Sequence, residues 1–63
     1  MLRAFLDNQG KKVIVNPRRI ECIVESGAGK AVLVFSSGHE ITTQKTFDEI
    51  AIELQLINEM VSG

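Results

Sequence analysis

A chain with one histidine and one cysteine has few routes to covalent chemistry. Those residues are His39 and Cys22, and no nucleophile–base–orienter set can be drawn from them by spacing. His39-Glu40 does not open a zinc-binding helix, because position 43 is Thr and the segment reads as strand. His39 follows Gly38 and reads as a solvated turn residue, while Cys22, in an apolar run, reads as core packing. Gly27-Ala28-Gly29-Lys30 has the ending of a phosphate loop. That pattern needs Gly at 24 and Ser or Thr at 31, where this chain has Val24 and Ala31, so a hairpin loop is expected. Ser36 and Ser37 are turn formers. Glu49, Glu53 and Glu59 make no acid–base pair on spacing alone and read as a solvated helix flank. The expectation is a non-enzyme with no catalytic residue, no metal site and no cofactor.

The positive chemical candidate is basic. Lys11, Lys12, Arg18 and Arg19 would form a phosphate-binding edge if the first hairpin and the Asn16-Pro17 turn lay side by side, because Lys and Arg neutralise phosphates and release counterions. Specific single-strand readout usually adds aromatic stacking platforms. The chain has no Trp or Tyr, and its three Phe have core explanations.

The element that positions most of the remaining signal is helical. Thr46-Phe47-Asp48-Glu49 fits a capping box, and Asp48 and Glu49 put negative charge on the first turn. No Pro or Gly interrupts Phe47 to Val61, so a helix is predicted over about 47–61. At about 100° per residue, Phe47, Ile50, Ala51, Leu54, Ile57 and Val61 fall on one side, the stripe a helix lays on a sheet. Ile52, Leu56 and Met60 fall nearly opposite. Three apolar side chains in register form a patch, which points to a helix-mediated interface.

Ahead of the helix the pattern is of strands, at about 2–6, 12–15, 20–25, 31–35 and 39–43. Asp7-Asn8-Gln9-Gly10, Asn16-Pro17, Ser26 to Lys30 and Ser36-Ser37-Gly38 punctuate them. Alternation places Leu2, Ala4, Leu6, Val13, Val15, Ile20, Cys22, Val24 and Ile41 inward. Phe5, Ile14, Ile23, Val32 and Val34 then lie on the other face, unless a bulge in the third strand changes its register. Short links favour an antiparallel meander. The predicted fold class is therefore α+β, a four- to five-stranded antiparallel meander with one C-terminal helix packed on the sheet, in a single domain over 1–63.

The order of residues resembles that of the small FlbD/SwrD-type flagellar and swarming proteins of bacteria. The resemblance is carried by Gly10, Val15-Asn16, Ile20, Ile23, Gly38 and Thr46-Phe47-Asp48-Glu49-Ile50 and covers roughly 2–54. It implies a non-enzymatic accessory protein of motility and carries over no catalytic residue. The Gly-rich stretch at 26–30 and the acidic, doubly apolar helix depart from that pattern. Val15-Asn16 through Ile50 is also similar to the C-terminal half of LytTR-type DNA-binding domains, which implies a nucleic-acid-binding regulatory module as the alternative.

Length and charge bound the rest. A chain of 63 residues buries only about 60% of its unfolded surface and is marginal alone. One Cys excludes an internal disulfide, and one His with one Cys cannot supply a structural zinc site, so oligomerisation is the remaining route to stability. Residues 1–45 hold all seven basic residues with four acidic ones, a net of +3, and residues 46–63 carry four acidic residues, a net of −4. That polarity would orient subunits or partners. No stretch approaches the length of a membrane span, and Met1-Leu2-Arg3 does not open a signal peptide, so a cytoplasmic protein without membrane insertion is expected. The expected partners are a second copy, with a two-fold dimer as the default, and an unidentified protein. The expected interface residues are Ile52, Leu56 and Met60.

Overall fold

The computed structural model describes residues 2–54. Five strands and one helix follow in order: β1 (Arg3–Leu6), β2 (Lys12–Val15), β3 (Ile20–Glu25), β4 (Lys30–Phe35), β5 (Glu40–Thr46) and α1 (Phe47–Glu53), with a single 3-10 turn at Pro17–Arg19. All strand pairings are antiparallel. The α+β class and the C-terminal helix stand as predicted, but the single meander does not. The strands form a two-stranded sheet, β1-β2, and a three-stranded sheet, β3-β4-β5.

The break lies at Asn16-Pro17. Pro17 has no amide to give a ladder, and its ring fixes φ. Asn16 caps the turn, its Oδ1 accepting from the Arg18 amide at 3.1 Å, while the Arg19 amide donates to the Asn16 carbonyl at 2.9 Å. This turn redirects the chain, and β1 rather than β2 meets the second sheet. Asp7 bridges Thr43, and the Asn8 amide donates to the Thr42 carbonyl at 2.9 Å.

Registers decide which side chains are inside. Phe5 pairs with Val13 and Arg3 with Val15, and cross-strand partners share a face. Phe5 and Val15 are therefore buried with Ala31, Leu33 and Ile50, and Val13, Ile20, Ile23, Phe35, Ile41 and Leu54 pack around them. The expected facing of β1 is thus reversed: Phe5 points into the core, and Leu2, Ala4 and Leu6 point out. In β3 a register shift between Ile20 and Cys22 turns Ile23 inward and leaves Cys22 exposed, so the expectation of a core cysteine is also corrected. Val24 faces outward with it, half exposed.

A second irregularity shapes β5, which runs three residues beyond its expected end at Thr43. The β4–β5 register shifts between Lys30 and Val32. There Thr43 is fully buried, its hydroxyl donating to the Ala31 carbonyl at 3.1 Å and accepting from the Lys45 amide at 3.3 Å. The hydroxyl satisfies groups that the irregular ladder leaves over, as buried polar groups require.

The capping box forms as the sequence dictates. The Glu49 amide donates to Thr46 Oγ1 at 3.2 Å, and the Thr46 amide donates to Glu49 Oε1 at 2.8 Å. The Phe47 amide donates to the Gly29 carbonyl at 3.3 Å, which ties the helix start to the β3–β4 loop. The Thr46 amide, then its hydroxyl, holds the Glu49 carboxyl below its ordinary value. A carboxyl whose folded value is depressed stabilises the fold above its ordinary value and loses that contribution as pH falls through the folded one. The urea midpoint is therefore expected to drop on acidification through the carboxylate range, and to drop less in Glu49→Gln.

Candidate functional site

Covering one face of a small sheet settles only half of its surface. The helix buries Ile50 and Ala51 and presents Ile52 outward, 63% exposed. This is the division that the spacing predicted, over the part of the helix described. Leu56 and Met60, the other two expected interface residues, lie outside the described residues, as does the rest of the span predicted to 61.

The outer side of the β1-β2 hairpin is also apolar. Leu2, Leu6 and Ile14 are exposed there, Ile14 at 71%, and Ala4 pairs with Ile14 between them. The outer side of β3-β4-β5 carries Cys22 opposite Val34 and Val24 opposite Val32. The helix and the hairpin bury their core residues on the inner side, and among the described residues Ile14, Cys22 and Val24 stay exposed on these outer faces. Sequence reading missed the hairpin face because it placed Leu2 and Leu6 inside.

The four expected cations are all exposed, but they do not gather. Lys11 and Lys12 follow the first turn, where Asp7 Oδ1 accepts from the Gln9 and Lys11 amides at 2.9 and 2.8 Å. Arg18 and Arg19 sit on the 3-10 turn after β2. At about 3.4 Å per residue, β2 holds the two pairs at least about 10 Å apart along its length. The hairpin turn and the Asn16-Pro17 turn are thus at opposite ends of β2 rather than side by side. Among the described residues the one ion pair is Lys45 Nζ to Glu53 Oε1 at 3.0 Å. The Glu53 contact raises the Lys45 amine above its ordinary value, but the pair is solvated and adds little to stability.

A cleft of about 330 Å³ opens between β2 and the β4–β5 turn. Ile14, Phe35 and Ile41 contribute apolar lining, and Asn16, Arg19 and His39 contribute polar groups. The turn that builds its far side is closed by the Phe35 amide donating to the His39 carbonyl at 2.8 Å and the Gly38 amide donating to the Phe35 carbonyl at 2.8 Å, with Gly38 at φ 91°, where a side chain would be strained. The Ser36 amide donates to the Arg19 carbonyl at 2.9 Å, which fixes the 3-10 turn against the same rim. The cleft had no local signal in the sequence, because its residues come from two separate segments, 14–19 and 35–41.

His39 is exposed on that turn, its ring 6.4 Å from the Phe35 ring. The Ser26 to Lys30 stretch is a hairpin turn, with the Ser26 amide donating to the Lys30 carbonyl at 2.8 Å. Among the described residues no three His, Cys, Asp or Glu side chains converge on a point that would hold a metal ion. No helix among them is long and apolar enough to cross a membrane.

The class these features define is a small α+β domain of two antiparallel sheets and one helix, with apolar side chains on its outer faces. No protein-family model, curated protein or solved structure matches this chain.

Proposed function

We propose that this chain is a small, non-enzymatic, self-associating interaction or regulatory subunit, and that its interface includes Ile52, Leu56 and Met60. The observation that carries the reading is Ile52, exposed directly beside the buried Ile50 and Ala51 on a helix that has already covered its sheet. Fully burying a side chain of this kind contributes roughly 1.5–3 kcal/mol. The exposed Leu2, Leu6 and Ile14 of the hairpin and Val24 of the sheet add further apolar surface for a partner. A two-fold dimer is the simplest closed arrangement, and the resemblance to FlbD/SwrD-type proteins would place such a subunit among the accessory proteins of bacterial motility.

Sedimentation tests this. The wild-type chain is expected to be oligomeric at about 100 μM, where interfaces of micromolar affinity are populated. Leu56→Asp and Ile52→Asp are each expected to shift it toward monomer, because a carboxylate is placed where water is excluded. A monomeric wild type would end the proposal.

The exposed Lys11, Lys12, Arg18 and Arg19 support a second reading, a nucleic-acid-binding regulatory module. With the two pairs at opposite ends of β2, such binding would track a backbone along the strand. It is expected to fall steeply with salt, and Arg18→Glu with Arg19→Glu should weaken it more than about tenfold in a mobility-shift assay at low salt.

A further inference from the structure

We infer that the cleft between β2 and the β4–β5 turn receives the 55–63 segment of a second copy of this chain, with Glu59 meeting Arg19. The inference rests on the self-association proposed above and names where each partner lands.

Three observations point to that occupant. The cleft has apolar lining from Ile14, Phe35 and Ile41, and its permanent charge comes from Arg19, with no carboxylate among the residues that line it. An apolar segment carrying a carboxylate fits that description, since a guanidinium is the side chain best shaped to grip one. Residues 55–63 answer it in kind: Leu56, Ile57, Met60 and Val61 are apolar, and the single charged side chain is Glu59. The match extends to the whole chain, because residues 1–45 carry a net +3 and residues 46–63 a net −4. Opposed charge on the two parts favours body-to-segment docking over two acidic segments packed on each other.

A second copy is the source of the segment that the proposed self-association supplies. In a two-fold exchange each chain gives its segment and receives its partner's, so the arrangement closes on itself. The exchange would also bury Leu56 and Met60, which the sequence spacing alone sets opposite the predicted sheet-facing stripe.

The test uses full-length chains and charge reversal in trans. Arg19→Glu alone and Glu59→Arg alone are each expected to weaken the dimer at least tenfold, because each homodimer then faces like charges across the cleft. Mixing the two variants is expected to restore assembly as a heterodimer, in which the reversed cleft meets the reversed segment and the native cleft meets the native one. Circular dichroism of each variant reports whether it is folded, and rescue on mixing cannot come from a misfolded chain. Sedimentation of the mixture gives the readout. A wild-type monomer would overturn both self-association and this docking. A wild-type dimer unmoved by either reversal would overturn the docking and leave self-association standing. Weakening without rescue on mixing, or docking within one chain, would overturn the pairing in trans.

Discussion

Leu33→Ala is expected to leave much of the protein unfolded at room temperature. Leu33 is completely buried in the middle strand of the larger sheet, among Phe5, Val15, Ala31 and Ile50. Truncating a buried Leu costs about 2–5 kcal/mol, the loss of transfer free energy plus the cavity left behind. A small domain typically has only about 0.05–0.15 kcal/mol of stability per residue, so for a chain of this size, at the low end of that range, the cost consumes most or all of the margin. Neighbours have little freedom to collapse into the space, because Leu33 is held by β3 on one side and β5 on the other. Circular dichroism with a urea titration checks the result, and Ile41→Ala serves as a milder comparison because Ile41 is only half-buried. A Leu33→Ala chain that keeps the wild-type urea midpoint would show that the core is not centred here.

Thr43→Val is expected to destabilise the fold by about 1–3 kcal/mol, although it conserves shape. The two side chains are nearly isosteric, so no cavity opens. What is lost is the hydroxyl, which donates to the Ala31 carbonyl and accepts from the Lys45 amide at a fully buried position. Both backbone groups belong to the irregular end of the β4–β5 ladder. Removing the hydroxyl leaves the buried Ala31 carbonyl without this donor, at the desolvation cost of that group, while the part-buried Lys45 amide loses its acceptor at a smaller cost. Thr43→Ser is the control, because it keeps the hydroxyl and drops only a methyl. Urea midpoints that rank Val above Ser would contradict this account.

Sequence patterning located the elements because the turns are local chemistry. Gly10, Gly29 and Gly38 adopt positive φ at the loops they were expected to mark, and Thr46 with Glu49 starts the helix from within four residues. Facing was less legible, because it depends on parity. The connection from Asp7 to Lys11 pairs odd positions with odd, so Val13 and Val15 inward require Phe5 inward. Taken strand by strand, alternation alone cannot supply that constraint. In β3 a one-residue shift between Ile20 and Cys22 exchanges the faces again, and nothing in Ile-Glu-Cys-Ile specifies it locally. The split into two sheets arises from Pro17, which was visible as punctuation, combined with the Asp7–Thr43 bridge, which joins distant parts of the chain and leaves no local trace. Of the candidate sites, Ile52 was readable from helical spacing. The cleft was not, since its lining assembles only when β2 and the β4–β5 turn converge.

The irregularity in β3 also governs what kind of assembly the chain can tolerate. Among the described residues β3 pairs with β4 alone, so it is an open sheet edge, the kind of surface on which copies can add without limit. Here that edge is interrupted at Ile20/Cys22, and Glu21 and Glu25 are exposed along it. Antiparallel self-pairing centred on Ile23 would set Glu21 of one copy directly against Glu25 of the next, a like-charge contact at both ends of the strand. Pairing of two β3 edges in that register is thereby disfavoured. An assembly formed through the outer apolar side chains, as proposed above, would then not extend through β3 in that register.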